Sequence, residues 1–138
     1  MQNTILFKGE MPIIKDQDVV PFRNKARECA VNIGMGVLNQ TKLITAASEL
    51  ARNMLKYGKG GVILIEVITR GKDTGVRLTF TDKGPGIENV NLALKDGYST
   101  GNSLGLGLPG AKRLVNEFEI QSGAGQGTKI TVIKWKNG

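Results

Sequence analysis

Residues 60–86 read GGVILIEVITRGKDTGVRLTFTDKGPG, and this stretch decides the fold. Val62–Arg70 is a dense β-branched run of the kind that forms a largely buried strand. Gly71-Lys72-Asp73-Thr74-Gly75 reads as a turn. From Val76 to Asp82 the pattern alternates cleanly: Val76, Leu78 and Phe80 share one face, and Arg77, Thr79 and Thr81 share the other. The two runs therefore predict a hairpin. Its polar face predicts a sheet covered by helices on the opposite side only.

Upstream of the hairpin, residues 4–9 predict a first strand that ends near Gly9. Residues 18–33 predict a helix, with Asp16 or Asp18 as cap, Pro21 in the first turn and Gly34 as stop. A second helix follows, capped by Asn39 or Thr41 and closed by Gly58, with Leu43, Ala47, Leu50, Met54 and Tyr57 in one apolar stripe. Downstream, residues 83–106 are rich in Gly, Asp, Asn and Ser, with one short helix expected around 89–95. A helix at 108–117 and strands at about 118–123 and 128–135 complete the chain. These elements predict a two-layer α/β sandwich: a mixed, mostly antiparallel sheet with helices on one face. No repeat or linker divides residues 1–138, so one domain is expected.

Composition excludes several chemistries. Histidine is absent and Cys29 is the sole cysteine, which removes Ser-His-Asp and Cys-His catalysis, histidine zinc sites and an internal disulfide. Cys29 itself reads as a small residue near a helix core. A hard ion such as Mg²⁺, held by oxygen atoms and substrate phosphates, stays compatible. The net charge of +7 favours anionic partners. Aromatic residues are only 5% and interleave with no basic run, so nucleic acid is not the expected partner. No apolar stretch reaches membrane-spanning length, and Met1-Gln2-Asn3-Thr4 does not read as a signal peptide, so a cytoplasmic location with no membrane contact is expected.

Among the 19 glycines, three clusters in the C-terminal half matter: Gly84 and Gly86; Gly101 with Gly105, Gly107 and Gly110; then Gly125 and Gly127. Each pair alone would read as a turn. Repeated glycines before a helix are also the makings of a phosphate site, because they let a ligand approach free N–H groups. Gly105-x-Gly107-x-x-Gly110 matches the dinucleotide fingerprint, yet it follows a loop rather than a strand, so that reading fails. No Gly-x₄-Gly-Lys-Ser/Thr loop is present.

Four polar residues sit where chemistry is possible. Asp82 has the parity of Val76, Leu78 and Phe80; it either caps a local turn or accepts a hydrogen bond from a ligand amine. Thr128 shares the inward parity of Ile130 and Val132. Glu49 and Asn53, four apart on the second helix, read either as solvated surface or as a carboxylate base beside an amide ligand for Mg²⁺.

Together these segments resemble the GHKL ATPase/kinase superfamily. Glu49-Leu-Ala-Arg-Asn53 is similar to its N-box, Asp82-Lys-Gly-Pro-Gly86 to its G1 box, Gly105-Leu-Gly-Leu-Pro-Gly110 to its G2 box and Gly125-Gln-Gly-Thr128 to its G3 element. Ser48–Asn53, Gly105–Leu114 and Ile133-Lys-Trp135 resemble in particular the anti-sigma-factor serine/threonine kinases, the stressosome switch kinases among them. The resemblance implies the Bergerat ATP-binding fold. It implies Glu49 as general base, Asn53 as Mg²⁺ ligand and Asp82 as acceptor of the adenine amine, with Gly84, Gly86 and Thr128 shaping that pocket. Gly101, Gly105, Leu106 and Gly107 would attend the phosphates, and residues 96–106 would form an ATP lid. It also implies STAS-domain proteins as substrates and a PP2C-type phosphatase as a partner activated by binding. A nucleotide-gated binding protein with little or no phosphotransfer is the alternative, and Glu49 discriminates, since a mere binder needs no base. A histidine-kinase catalytic domain fits poorly, as the chain lacks both the histidine and the dimerisation helices.

Overall fold

A computed structural model describes residues 2–86 and 107–138. The helix expected at 89–95, the lid at 96–106, and Gly101, Gly105 and Leu106 lie outside the described residues.

Among the described residues the order is β1 (Thr4–Ile13), a 3₁₀ turn (Asp16–Asp18), α1 (Val19–Asn32), α2 (Val37–Gly58), β2 (Gly61–Arg70), β3 (Asp73–Asp82), α3 (Leu108–Leu114), β4 (Glu117–Ser122) and β5 (Thr128–Trp135). The strands form one sheet in the order β1-β2-β3-β5-β4. Every pairing is antiparallel, so no described strand supplies the parallel component of the expected mixed sheet.

Parity divides the sheet as the hairpin predicts. Val76, Leu78 and Phe80 are buried with Ile63, Ile65 and Val67 against Phe22 and Ala26 of α1 and Leu43, Leu50 and Met54 of α2. Phe22 meets Phe80 edge to face with ring centroids 5.9 Å apart. The other face carries a polar groove of about 350 Å³ with Glu66, Arg77, Thr79 and Thr131 among its walls. Glu66 is buried there but fully paired: Arg77 donates Nε–H to Oε1 at 2.8 Å and a second N–H to Oε2 at 3.1 Å. Cys29 is buried, and burial pushes its thiol up from the ordinary value, which fits a core residue.

Several boundaries differ from the sequence reading. β1 continues past Gly9 to Ile13 because β2 offers a full-length partner, with Met11 opposite Ile63 and Ile13 opposite Gly61. Pro12 lies on an edge strand, the position in a sheet where proline is tolerated. Asp18 does not cap α1. Its Oδ2 reaches back to accept the Ile14 and Lys15 N–H groups at 2.9 and 3.1 Å, which closes the 3₁₀ turn instead. α2 starts at Val37 with Gly36 as N-cap. Thr41 is already inside the helix and donates its hydroxyl to the Val37 carbonyl at 3.0 Å. β3 starts at Asp73 rather than Val76, because Asp73, Thr74 and Gly75 pair with Arg70, Thr69 and Ile68. α3 stops at Leu114, and Glu117 is already paired with Ile133.

α2 ends in an unusual way. Gly58 is its last residue, and the left-handed turn falls on Lys59, at φ 61°, followed by Gly60 at φ 90°. The Gly60 N–H then returns to the Met54 carbonyl at 2.9 Å, satisfying an end carbonyl of the helix. This tight exit delivers the chain into β2 beside the end of β3.

Candidate functional site

The site residues converge where the C-terminal half of α2 meets the end of β3, the start of β5 and the start of α3. Residues 43, 44, 46, 47, 50, 51 and 54 of α2 are buried, which fixes its rotation. Glu49 and Asn53 lie on the border of that stripe, and both are half-buried. Glu49 points to the chain segment that opens α3. A Cβ on Gly107 would lie 2.6 Å from Glu49 Oε1, so the carboxylate rests against Gly107 backbone. Gly107 also has φ 68°, a conformation that side chains disfavour, and so glycine is required there twice over. Of the G2-type string, Gly107 is the one phosphate-site candidate among the described residues.

Asp82 closes β3 directly opposite Thr128 of β5. Its Oδ1 accepts the Gly84 N–H at 2.9 Å. Burial pushes the Asp82 carboxyl above the ordinary carboxylate value, with backbone N–H groups of Gly84 and Thr128 acting in the opposite direction. The turn-cap and ligand-acceptor readings are therefore compatible: one oxygen caps Gly84, and the carboxylate has a second. Gly84 is buried over the last residue of α2, where an added Cβ would lie 2.6 Å from Gly58 Cα. Gly86, at φ 78°, packs on the Gly123 carbonyl, and Pro85 accepts the Gly125 N–H at 2.6 Å, so the Gly84–Gly86 loop is stitched to the β4–β5 turn.

The Thr128 hydroxyl shares a hydrogen bond with Ser122 at 2.8 Å, and Ser122 donates to the Gly127 carbonyl at 2.9 Å. A cleft of about 490 Å³ opens at this end of β3, β4 and β5, with Asp82, Ser122, Gln126 and Thr128 in its walls. The structure thus brings together Asp82, Gly84, Gly86 and Thr128 as one cluster and Glu49 and Gly107 as another, joined through α2.

Three contributors were given no individual role by the sequence reading. Ser122 orients Thr128; Gly127, at φ 77°, packs against the Asp82 carbonyl; Gly58 lies under the Asp82 carboxylate. The sequence signal for Gly127 was its place before Thr128. For Ser122 it was the hairpin register. Gly58 gave only a helix-stop signal.

No group of three or more His, Cys, Asp or Glu among the described residues could hold a metal by itself. No described helix is long and apolar enough to cross a membrane.

Residues 38–137 match the sequence profile of the family described as histidine kinase-, DNA gyrase B-, and HSP90-like ATPase. The chain belongs to this ATPase family. Within it, the chain is 44% identical over 124 residues to the serine/threonine-protein kinase RsbT of Bacillus subtilis, covering 89% of this chain and 92% of that protein. It is 34% identical over 101 residues to an anti-sigma F factor of Anoxybacillus flavithermus, covering 68% of each. The identity to RsbT, over almost the whole of both chains, places this ATPase-family member in the kinase branch. Among solved structures, the RsbU and RsbW domains of Rv1364c from Mycobacterium tuberculosis superpose with a TM-score of 0.58 at 19% identity, over 93% of this chain and 31% of that one. That likeness shows the shared ATPase-family fold.

Proposed function

We propose that residues 1–138 form a single ATP-dependent protein serine/threonine kinase domain, which phosphorylates STAS-domain regulatory proteins in a bacterial stress-signalling partner switch. In the same reading it activates a PP2C-type phosphatase by binding, and it works in the cytoplasm. The observation that carries the proposal is the seating of the Glu49 carboxylate against Gly107 at the opening of α3, in a chain 44% identical to a serine/threonine-protein kinase. A nucleotide-gated binder needs no base at that position, and this is what favours the transferase.

In this reading Asp82 accepts the adenine amine at the bottom of a pocket shaped by Gly84, Gly86 and Thr128, while Gly101, Gly105, Leu106 and Gly107 attend the phosphates. Glu49 accepts the proton of the incoming serine or threonine hydroxyl. The substrate hydroxyl oxygen then bonds to the γ-phosphorus, the bond to the β–γ bridging oxygen breaks, and ADP leaves with that electron pair. The donor set suits Mg²⁺: an amide oxygen from Asn53 one turn from Glu49, with the remaining positions left to phosphate oxygens and water. When bound, the ion neutralises phosphate charge. Asn53 helps to hold the triphosphate, and α2 keeps Glu49 and Asn53 at fixed separation.

The test is incubation of the purified chain with γ-labelled ATP and STAS-domain proteins encoded by the same genome. Label is expected on a serine or threonine of one STAS protein, with none transferred by Glu49→Ala. Tight ATP binding by the wild-type chain with no transfer to any STAS protein would make it a nucleotide-gated binder instead.

A further inference from the structure

The helix end at Gly58 makes an approach to Asp82 that leaves no room for a side chain. Of the two Asp82 carboxylate oxygens, Oδ1 is committed to the Gly84 N–H at 2.9 Å. A Cβ built on Gly58 would overlap Asp82 Oδ2 and Cγ and would stand 2.9 Å from Asp82 Cβ. Turning the Asp82 side chain could relieve the first two overlaps. It could not relieve the third, because Cβ does not move with that torsion. Any residue larger than glycine at 58 must therefore displace the carboxylate and separate the end of α2 from β3.

The same point is crowded from the other side. Gly84 stacks on Gly58 Cα, and Gly127 packs on the Asp82 carbonyl, so the Asp82 backbone and the helix end have little freedom to move apart. Gly58 is itself buried, and its φ lies outside the left-handed region, which falls on Lys59 and Gly60 instead. Its backbone conformation is one that alanine adopts readily. Conformational freedom is thus not the reason that glycine is needed; the neighbouring carboxylate is.

We propose that Gly58 is a positioning residue for base discrimination: by presenting no side chain, it fixes where the Asp82 carboxylate stands and so sets the preference for a purine bearing an exocyclic amine. The inference rests on the reading of Asp82 as the adenine acceptor. It adds that the end of α2, and not only the loop after β3, determines that recognition.

The experiment measures affinity of the full chain for ATP and for purine riboside triphosphate, which lacks the amine, in wild type and Gly58→Ala. Wild type is expected to favour ATP. In Gly58→Ala, ATP affinity should fall about tenfold or more, the scale of one charge-assisted hydrogen bond, while the amine-free analogue binds as before. Unchanged ATP affinity, or an equal loss for both nucleotides, would overturn the positioning role; the second outcome would mean general damage to the fold. Equal affinity of wild type for the two nucleotides would instead overturn the adenine reading of Asp82, and with it this proposal. Should Gly58→Ala unfold, Gly58→Ala/Asp82→Gly provides the check, since it removes the Asp82 Cβ, carboxyl carbon and oxygens that the new methyl would strike. The double variant is expected to melt as Asp82→Gly alone does, and a lower melting transition than that single variant would show that Gly58 serves the packing alone.

Discussion

Glu49 and Gly107 belong to different elements, 58 positions apart in the chain, and meet so closely that a methyl on Gly107 would stand 2.6 Å from the Glu49 carboxylate oxygen. The contact ties the proposed base to the start of α3. Glu49→Ala should keep ATP affinity and lose phosphotransfer by about 10²–10⁴-fold, the usual contribution of a general base. Titration calorimetry together with single-turnover label transfer checks both halves. Transfer at the wild-type rate would remove Glu49 from the mechanism.

Gly107→Ala should be harmful for two reasons, the left-handed backbone and the overlap with Glu49. The backbone contribution alone is about 1–2 kcal/mol. Because α3 is a short element at one end of the core, most of the damage should fall on nucleotide affinity rather than on the melting temperature. Calorimetry against a thermal melt separates them.

For Asn53 the expectation concerns the metal. Asn53→Ala should weaken ATP binding in Mg²⁺ by about tenfold and leave binding in EDTA nearly unchanged, since one oxygen ligand among several is lost. Equal losses in the two conditions would assign Asn53 a structural role.

Asp82 carries a pH signature. Its folded value is raised by burial above the ordinary 3.8, so the folded state holds the proton to higher pH than the unfolded state does. By linkage, the charged carboxylate lowers stability as pH rises through that window, and the lowering persists above it. Asp82→Asn removes this effect and retains an oxygen for the Gly84 N–H. At neutral pH the variant should therefore melt no lower than wild type while losing about 2–4 kcal/mol of ATP binding. As pH falls through the raised value, wild-type ATP affinity should decline towards that of the variant. The titration of ATP itself is common to both chains, so the difference between them isolates Asp82.

The core predicts one stability effect far from the site. Phe22 is fully buried and meets Phe80 edge to face, so Phe22→Ala should cost about 3–5 kcal/mol in a denaturant titration. At temperatures where the variant stays folded, ATP affinity should change little.

The sequence by itself determined the central hairpin and the sidedness of the sheet. Alternation along Val76–Asp82 and the turn at Gly71 are local properties, and the observed hairpin and buried face follow from them. The stripe Leu43, Ala47, Leu50, Met54 likewise fixed the rotation of α2 and placed Glu49 and Asn53 at its border. Boundaries were less legible where a partner extended an element. β1 runs to Ile13 because β2 pairs with it that far, and Asp73–Gly75 are drawn into β3 although their composition reads as turn. What only the tertiary structure decided was the set of close approaches: Gly58 under Asp82, Gly107 against Glu49, and Ser122 on Thr128. A glycine chosen because another element lies within van der Waals reach has the same sequence signature as one chosen for a turn. The distinction arises only when α2 is laid across the sheet, because the space a side chain would need is then filled by residues remote in sequence.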